Sequence, residues 1–302
     1  MTQRIQVGTR RSRLARAQTD LVLRHLVRLH QEIRFEAHPI DTSGDRNRAT
    51  GVAPDFTDTI DRALLRGEVD VAVHSAKDLP ARLETGLELA ACPRRADPRD
   101  CLVVRSGLSA AQLPQHSRLG SSSVRRRAQL LRWRPDLRVE EIRGNVERRL
   151  AMAWEGRLDG VVLAVAGLLR LGRSKDIDLI LSEEGFLPAP AQGALALVVR
   201  TGDREMLSVA RAVDHSATRA EVMAERAFTA ALGGDCRVPL AARASVTGRR
   251  LTLTGEVLSL DGRERIRRSR SGVSASAERL GTSLGLAMID RGALDLFERP
   301  RG

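Results

Sequence analysis

The chain has 302 residues, 42% of them hydrophobic, a net charge of +12 and a sequence pI of about 11.2. That length is enough for two or three domains with cores of their own. Aromatics at 2%, with no tyrosine, exclude the stacking platforms of a single-strand nucleic-acid binder. The charge first suggests a polyanion partner, but Lys77 and Lys175 are the only lysines among 50 basic side chains, so base composition acting on the surface accounts for much of it. Where lysine is kept, a compact ammonium is expected to be needed. Cys92, Cys101 and Cys236 are odd in number and form no CxxC pair, which argues against a disulfide framework or a zinc site. Residues 1–13 are polar and basic, without the apolar core of a signal peptide, and the longest apolar stretch, 160–169, is too short to span a bilayer. A cytoplasmic protein, monomeric by default, is expected.

Strand-like and helix-like runs alternate. Residues 5–7 read as a strand, 12–29 as a helix, 34–40 as a strand, 56–65 as a helix and 69–73 as a strand of period two. After Pro93 and Pro98 come a strand at 101–104, a helix at 124–133, a strand at 137–142, a helix at 146–154 and a buried strand at 161–165. Pro188 and Pro190 interrupt, and a strand at 195–199 is a candidate to return to the first unit. From Asp214 a helix runs to Ala231, followed by strands at 251–260 and 265–271 and a helix at 275–290. The pattern predicts α/β architecture with mainly parallel sheets, then a small α+β domain. No internal repeat is visible.

Three strand-to-helix junctions share one chemistry. Thr9-Arg10-Arg11-Ser12 precedes the first helix, Ser121-Ser122-Ser123-Val124-Arg125-Arg126 opens another, and Arg143-Gly144-Asn145 opens a third, with Arg149 one turn in. Ser or Asn caps leave backbone N–H groups facing outward, the helix dipole favours an anion there, and arginine adds a fork for carboxylates. Each junction alone reads as an ordinary cap beside a surface arginine; three together point to a multi-anionic ligand. His74-Ser75-Ala76-Lys77-Asp78-Leu79-Pro80 follows the strand at 69–73 and places one carboxylate among cations. A Lys–Asp surface pair is its plainer reading, and His74 is expected to be a buried hydrogen-bonding group. Cys236 lies in Leu232-Gly233-Gly234-Asp235-Cys236-Arg237, where the glycines count against the buried role usual for a lone cysteine.

These motifs resemble porphobilinogen deaminase (hydroxymethylbilane synthase). Thr9-Arg10-Arg11-Ser12-Arg13-Leu14-Ala15, Ala72-Val73-His74-Ser75-Ala76-Lys77-Asp78, Asp97-Pro98-Arg99-Asp100, the serine–arginine junction from Gly120, Arg143-Gly144-Asn145-Val146, Leu163-Ala164-Val165-Ala166-Gly167-Leu168, Leu187-Pro188-Ala189-Pro190-Ala191-Gln192-Gly193 and Glu225-Arg226-Ala227 follow the family's order over nearly the whole chain. The resemblance implies two periplasmic-binding-protein-like α/β domains, 1–97 with 192–212 and 98–191, and a small α+β domain, 213–302, carrying the cofactor cysteine. It implies the joining of four porphobilinogen units with ammonia release, in tetrapyrrole (haem) biosynthesis, on a dipyrromethane held by a thioether at Cys236. It also implies Asp78 as the catalytic carboxylate. Arg10, Ser12, Ser75, Lys77, Ser121, Ser122, Ser123, Arg125, Arg126, Arg143, Arg149, Arg170 and Gln192 match its binding positions, and Phe56 its lid. A carboxylate that stays ionised among arginines suits stabilisation of a cationic intermediate better than acid catalysis.

The chain departs from the family pattern in places. The lid run is Gly51-Val52-Ala53-Pro54-Asp55-Phe56-Thr57-Asp58, shorter and without lysine; Ala191 replaces the usual Gly before Gln192, and Asp235 the Gly before the cysteine. A diverged paralogue that binds a carboxylated small molecule without polymerising it is the alternative. A nucleic-acid binder is disfavoured, since no recognition motif accompanies the charge.

Overall fold

The computed structural model describes residues 3–42, 57–234 and 238–298. They fall into two compact units, one of residues 1–96 and 194–219, the other of residues 97–193 and 220–302. Along the chain come β1 (Gln3–Arg10), α1 (Arg13–Leu29), β2 (Ile33–Ile40), α2 (Asp58–Leu65), β3 (Val71–Ser75) and β4 (Leu87–Ala91). Next are β5 (Asp100–Val104), β6 (Arg118–Gly120), α3 (Val124–Trp133), β7 (Arg138–Glu140), α4 (Val146–Trp154), β8 (Gly160–Ala164), α5 (Val165–Arg170) and β9 (Leu179–Ile180). Then follow β10 (Leu195–Arg200), α6 (Arg204–Arg211), α7 (Ser216–Ala231), β11 (Leu240–Thr247), β12 (Arg250–Leu258), β13 (Arg265–Val273), α8 (Ala277–Ile289) and α9 (Asp295–Glu298).

The first unit holds the sheet β2-β1-β3-β10-β4. Its first three strands are parallel, whereas β10 runs antiparallel to both β3 and β4. The first four residues of β3 are buried, as expected of a strand covered on both faces. Helix α1 buries Ala15, Gln18, Thr19, Val22 and Leu26, one stripe at helical spacing, and Ser12 caps it by accepting from the Ala15 N–H. Val22 and Leu26 pack with Ile5, Val7, Val71, Val73, Leu195 and Leu197 in the core of this unit.

The second unit contains the sheet β7-β6-β8-β5-β9, again three parallel strands, then an antiparallel strand, then an edge. The two sheets therefore share one strand order, a repeat of topology that no sequence repeat announces. Core clusters built on Val103, Val161 and Leu163 and on Leu102, Leu119 and Val162 fill its two faces. The C-terminal part is the antiparallel meander β11-β12-β13 with α7 and α8 on one face. A Cβ on Gly281 would stand 2.1 Å from the Ala224 carbonyl oxygen, and one on Gly255 would stand 2.4 Å from the Phe228 ring. Only glycine permits these approaches.

Several expectations need correction. The α/β sheets are parallel-rich, as expected; what was not expected is that one strand in each, β10 and β5, enters against its neighbours. The strand expected at 69–73 is β3, running to Ser75, since its hydrogen-bonded register with β10 extends there. β4, β6, β9, β11 and α6 were not anticipated; β6 and β9 are too short to show a period, and residues 240–247 carry a run of small residues with weak alternation. The strand at 195–199 does return to the first unit, as β10. The lid around Phe56 and the segment 235–237 with Cys236 lie outside the described residues.

Ala191 has φ of +59°, in the left-handed region where an L side chain is strained. Ala191→Gly is expected to stabilise the protein by about 1 kcal/mol, read as a rise in the midpoint of urea unfolding at unchanged slope.

Candidate functional site

In the first unit the site residues leave the carboxyl ends of β1 and β3, which are adjacent and parallel. Arg10 ends β1 half-buried, and Ser12 follows as the α1 cap. Buried Thr9 and Thr19 share a 2.7 Å hydrogen bond that pins this corner. Ser75 ends β3; the buried Gln18 donates through Nε2 to its Oγ at 2.9 Å, tying the two corners together. Residues Ala76–Asp78 then form a single 3-10 turn, closed where the Ala76 N–H donates to the Ala194 carbonyl at 3.1 Å. Lys77 is exposed and Asp78 half-buried. The Asp78 carboxylate receives no hydrogen bond or ion pair from the described residues, so the expected alternative of a Lys–Asp surface pair is not formed. His74 is buried, as expected, with Nε2 3.2 Å from Oδ1 of the buried Asp61, at ion-pair distance but without hydrogen-bond geometry.

In the second unit the cationic residues leave the carboxyl ends of the adjacent parallel strands β7, β6 and β8. After β6, Ser121 is buried, Ser122 is exposed, and Ser123 caps α3, its Oγ accepting from the Arg126 N–H at 3.4 Å. After β7, Arg143 is exposed and pairs with Glu141 at 3.1 Å, and Asn145 caps α4. After β8, Arg170 closes α5.

The arginines divide into two electrostatic classes. Arg125 and Arg126 are both buried against Asp100, which is wholly inaccessible. Arg125 Nη1 donates to Asp100 Oδ2 at 2.8 Å, to Gln129 Oε1 at 2.8 Å and to the Leu187 carbonyl at 2.9 Å. Arg126 Nη2 donates to Asp100 Oδ1 at 2.7 Å, and its Nη1 to the Val162 carbonyl at 3.0 Å. Gln192, itself buried, donates through Nε2 to Asp100 Oδ1 at 2.8 Å and to the Pro98 carbonyl at 2.7 Å. Burial alone would raise the Asp100 pKa; the two guanidiniums outweigh it and hold the carboxyl well below the usual range.

Arg149 and Arg170 form the other class, with no acidic partner among the described residues. Arg149 Nε donates to the Gly144 carbonyl at 2.9 Å, and burial, then the charge of Arg126, push its pKa down to about 10. Arg170 Nη2 donates to the Gly193 carbonyl at 2.6 Å while its Nε is buried without a partner, and burial pushes its pKa down to about 10. A cation desolvated without a counter-ion is destabilised until an anion arrives. These residues therefore fit a ligand with several carboxylates. Of the described cysteines, Cys92 and Cys101 are both buried, and burial pushes the Cys101 thiol up to about 12, leaving it inert.

Asp100, Gln129, Asp61 and Glu225 carry roles that local sequence pattern does not assign. Asp100 was quoted within a motif, and a signal existed: two consecutive arginines on a helix with a buried face demand an acid nearby. Glu225 is buried and accepts from the Ala191 N–H at 2.5 Å and the Ala244 N–H at 2.6 Å, pinning the segment that carries Gln192.

Capped, arginine-bearing loops at the carboxyl ends of parallel strands mark an α/β protein suited to carboxylated small molecules. Comparison carries the assignment further. The family model "Porphobilinogen deaminase, dipyromethane cofactor binding domain" matches residues 5–208, and "Porphobilinogen deaminase, C-terminal domain" matches residues 219–290. The porphobilinogen deaminase of Deinococcus radiodurans is 42% identical over 305 residues, covering 98% of this chain and 99% of that protein. That of Thermus thermophilus is 42% identical over 296 residues, covering 98% of each. Among solved structures, the methionine-binding protein MetQ is 13% identical with a TM-score of 0.44, covering 69% of this chain and 88% of that one. The chain belongs to the porphobilinogen deaminase family.

Removing the Asp100 charge leaves two buried guanidiniums uncompensated, so Asp100→Asn is expected to cost about 3–5 kcal/mol in urea unfolding at neutral pH. Because the folded pKa of Asp100 is depressed, its contribution is complete above the unfolded value, about 3.9, and is lost as pH falls below it. The variant is expected to lack that part of the acid destabilisation seen in the unsubstituted protein.

Proposed function

We propose that the chain is a hydroxymethylbilane synthase, joining four porphobilinogen molecules head to tail with release of ammonia, in tetrapyrrole synthesis. The observation that carries this reading is that Arg149 and Arg170, in the second unit, have no acidic partner among the described residues; in the first unit, taken by itself, no described cation neutralises the Asp78 carboxylate. Each porphobilinogen brings an acetate and a propionate, so a growing chain gains two negative charges per ring.

In this reading Arg149 and Arg170 take substrate or cofactor carboxylates, assisted by Arg10, Arg143, Arg125 and Arg126. Ser12, Ser75, Lys77, Ser121, Ser122, Ser123 and Gln192 hold and orient the same ligands. A dipyrromethane, bound as a thioether at Cys236, supplies the primer pyrrole to which rings are added. The substrate's aminomethyl nitrogen takes a proton, its C–N bond breaks with both electrons on nitrogen, and ammonia leaves. The remaining pyrrole carries positive charge, which Asp78 stabilises through its unshared carboxylate. A carbon–carbon bond to the next ring forms, and the proton on the attacking carbon is lost, relayed by Asp78 in this reading. Phe56 belongs to the lid in this reading, and the three-domain division 1–97 with 192–212, 98–191 and 213–302 is proposed with it. A monomer acting in the cytoplasm is proposed as well; no helix among the described residues is long and apolar enough to cross a membrane.

The purified protein is expected to carry the mass of two pyrrole units on Cys236 and, with porphobilinogen, to show a ladder of adducts as ammonia appears. Unmodified protein that consumes no porphobilinogen defeats the reading. Asp78→Asn is expected to lower turnover at least about 100-fold while the mass on Cys236 persists. Near-normal turnover in that variant removes Asp78 from its role.

A further inference from the structure

We infer that Glu256 is a positioning residue for Arg125, acting through Gln129. Glu256 lies on β12 in the C-terminal meander and is wholly buried, although it belongs to no motif of the strand-end site. Its Oε1 accepts from Gln129 Nε2 at 3.0 Å. Its Oε2 faces Arg267 Nη1 at 3.4 Å and Arg265 Nη1 at 3.6 Å. Gln129 in turn presents Oε1 to Arg125 Nη1 at 2.8 Å, and its Nε2 also donates to the Leu187 carbonyl at 2.9 Å.

The logic is one of donors and acceptors. A buried amide can be turned either way, and its surroundings choose. On one side Gln129 meets a guanidinium, which only donates. On the other it meets a carboxylate and a carbonyl, which only accept. Reversal would set donor against donor and acceptor against acceptor, so Glu256 and the Leu187 carbonyl together lock the orientation that offers Arg125 an acceptor. The charge follows the same path. Asp100 alone leaves the Arg125–Arg126 pair with one uncompensated positive charge, and Glu256 adds a second buried carboxylate to the network, one it shares with Arg265 and Arg267.

The backbone holds the meander against the same helix. A Cβ on Gly262, in the β12–β13 turn, would stand 2.2 Å from the Ala128 carbonyl oxygen, and Arg132 donates to the Gly262 and Arg263 carbonyls at 3.4 and 3.2 Å. The C-terminal meander thus reaches the arginine helix through one turn and one buried carboxylate.

The inference rests on the functional reading above only for its kinetic readout. Glu256→Gln can satisfy Gln129 or Arg267 but not both, since it has a single acceptor oxygen. It is expected to raise the KM for porphobilinogen about tenfold, the scale of one hydrogen bond to a charged group, with kcat within about twofold. In an Arg125→Lys background the same change is expected to add less than about twofold, whereas in an Arg170→Lys background the full rise remains. An unchanged KM, or an equal rise in both backgrounds, overturns the inference while leaving the functional reading intact. If Glu256→Gln does not fold, Gln129→Met, which cuts the link and keeps the Glu256–arginine pairs, is expected to reproduce the rise; its failure to do so overturns the inference. If the unsubstituted enzyme consumes no porphobilinogen, the functional reading falls, and positioning is read from nitrogen NMR of the Arg125 guanidinium. Slow rotation about its Cζ–Nη bonds that quickens in Glu256→Gln supports the inference; identical rotation in both proteins overturns it.

Discussion

Two guanidiniums and one carboxylate, all withdrawn from water, determine how the second unit is assembled. Desolvating an arginine is costly, and the cost is met only where an acceptor stands at short range with good geometry. Asp100 supplies that at the first residue of β5, the strand that enters its sheet against the direction of its neighbours. Arg125 and Arg126, side by side on α3, can both reach it because one turn of helix presents consecutive side chains about 100° apart, one to each carboxylate oxygen. Gln192 completes the shell from a segment far along the chain. The helix, the entering strand and the crossover segment at 187–193 are thus fastened at one point.

Against that carboxylate-centred network, Arg149 and Arg170 stand out by the acid they lack. Their hydrogen bonds go to backbone carbonyls, which carry no net charge, and partial burial lowers their pKa values with no acidic partner among the described residues to offset it. The molecule therefore separates cations that hold its shape, buried on a carboxylate, from half-buried cations that await an anion. The first unit makes the same separation in the opposite sign. Asp61 is spent on His74, whereas Asp78, one turn beyond the same strand, is left open.

Much of this was legible in the chain. Helices α3 and α4 begin and end where the caps Ser123 and Asn145 and the apolar spacing put them, because cap chemistry is local. The serine–arginine junctions were likewise recognisable, since a strand, a polar cap and a basic helix start follow one another within a few residues. What was not legible depends on partners distant in sequence. Asp100 lies 25 and 26 residues from its arginines, and Gln129 lies 127 residues from Glu256. Short strands such as β6 and β9 have no period to read and exist because neighbours supply their hydrogen bonds.

By itself the sequence determined the class of architecture, the residue types at the strand ends, the placing of Asp78 at the end of a strand and the family order of motifs, all of which are written in local patterns of residue type, apolar spacing and capping. Only the tertiary structure decided which arginines are neutralised and which stay open, that the two α/β sheets repeat one strand order, and that a carboxylate of the C-terminal meander reaches the arginine helix. The reason is physical: the fate of a buried charge is set by the nearest opposite charge in space, and folding, not sequence spacing, chooses that neighbour.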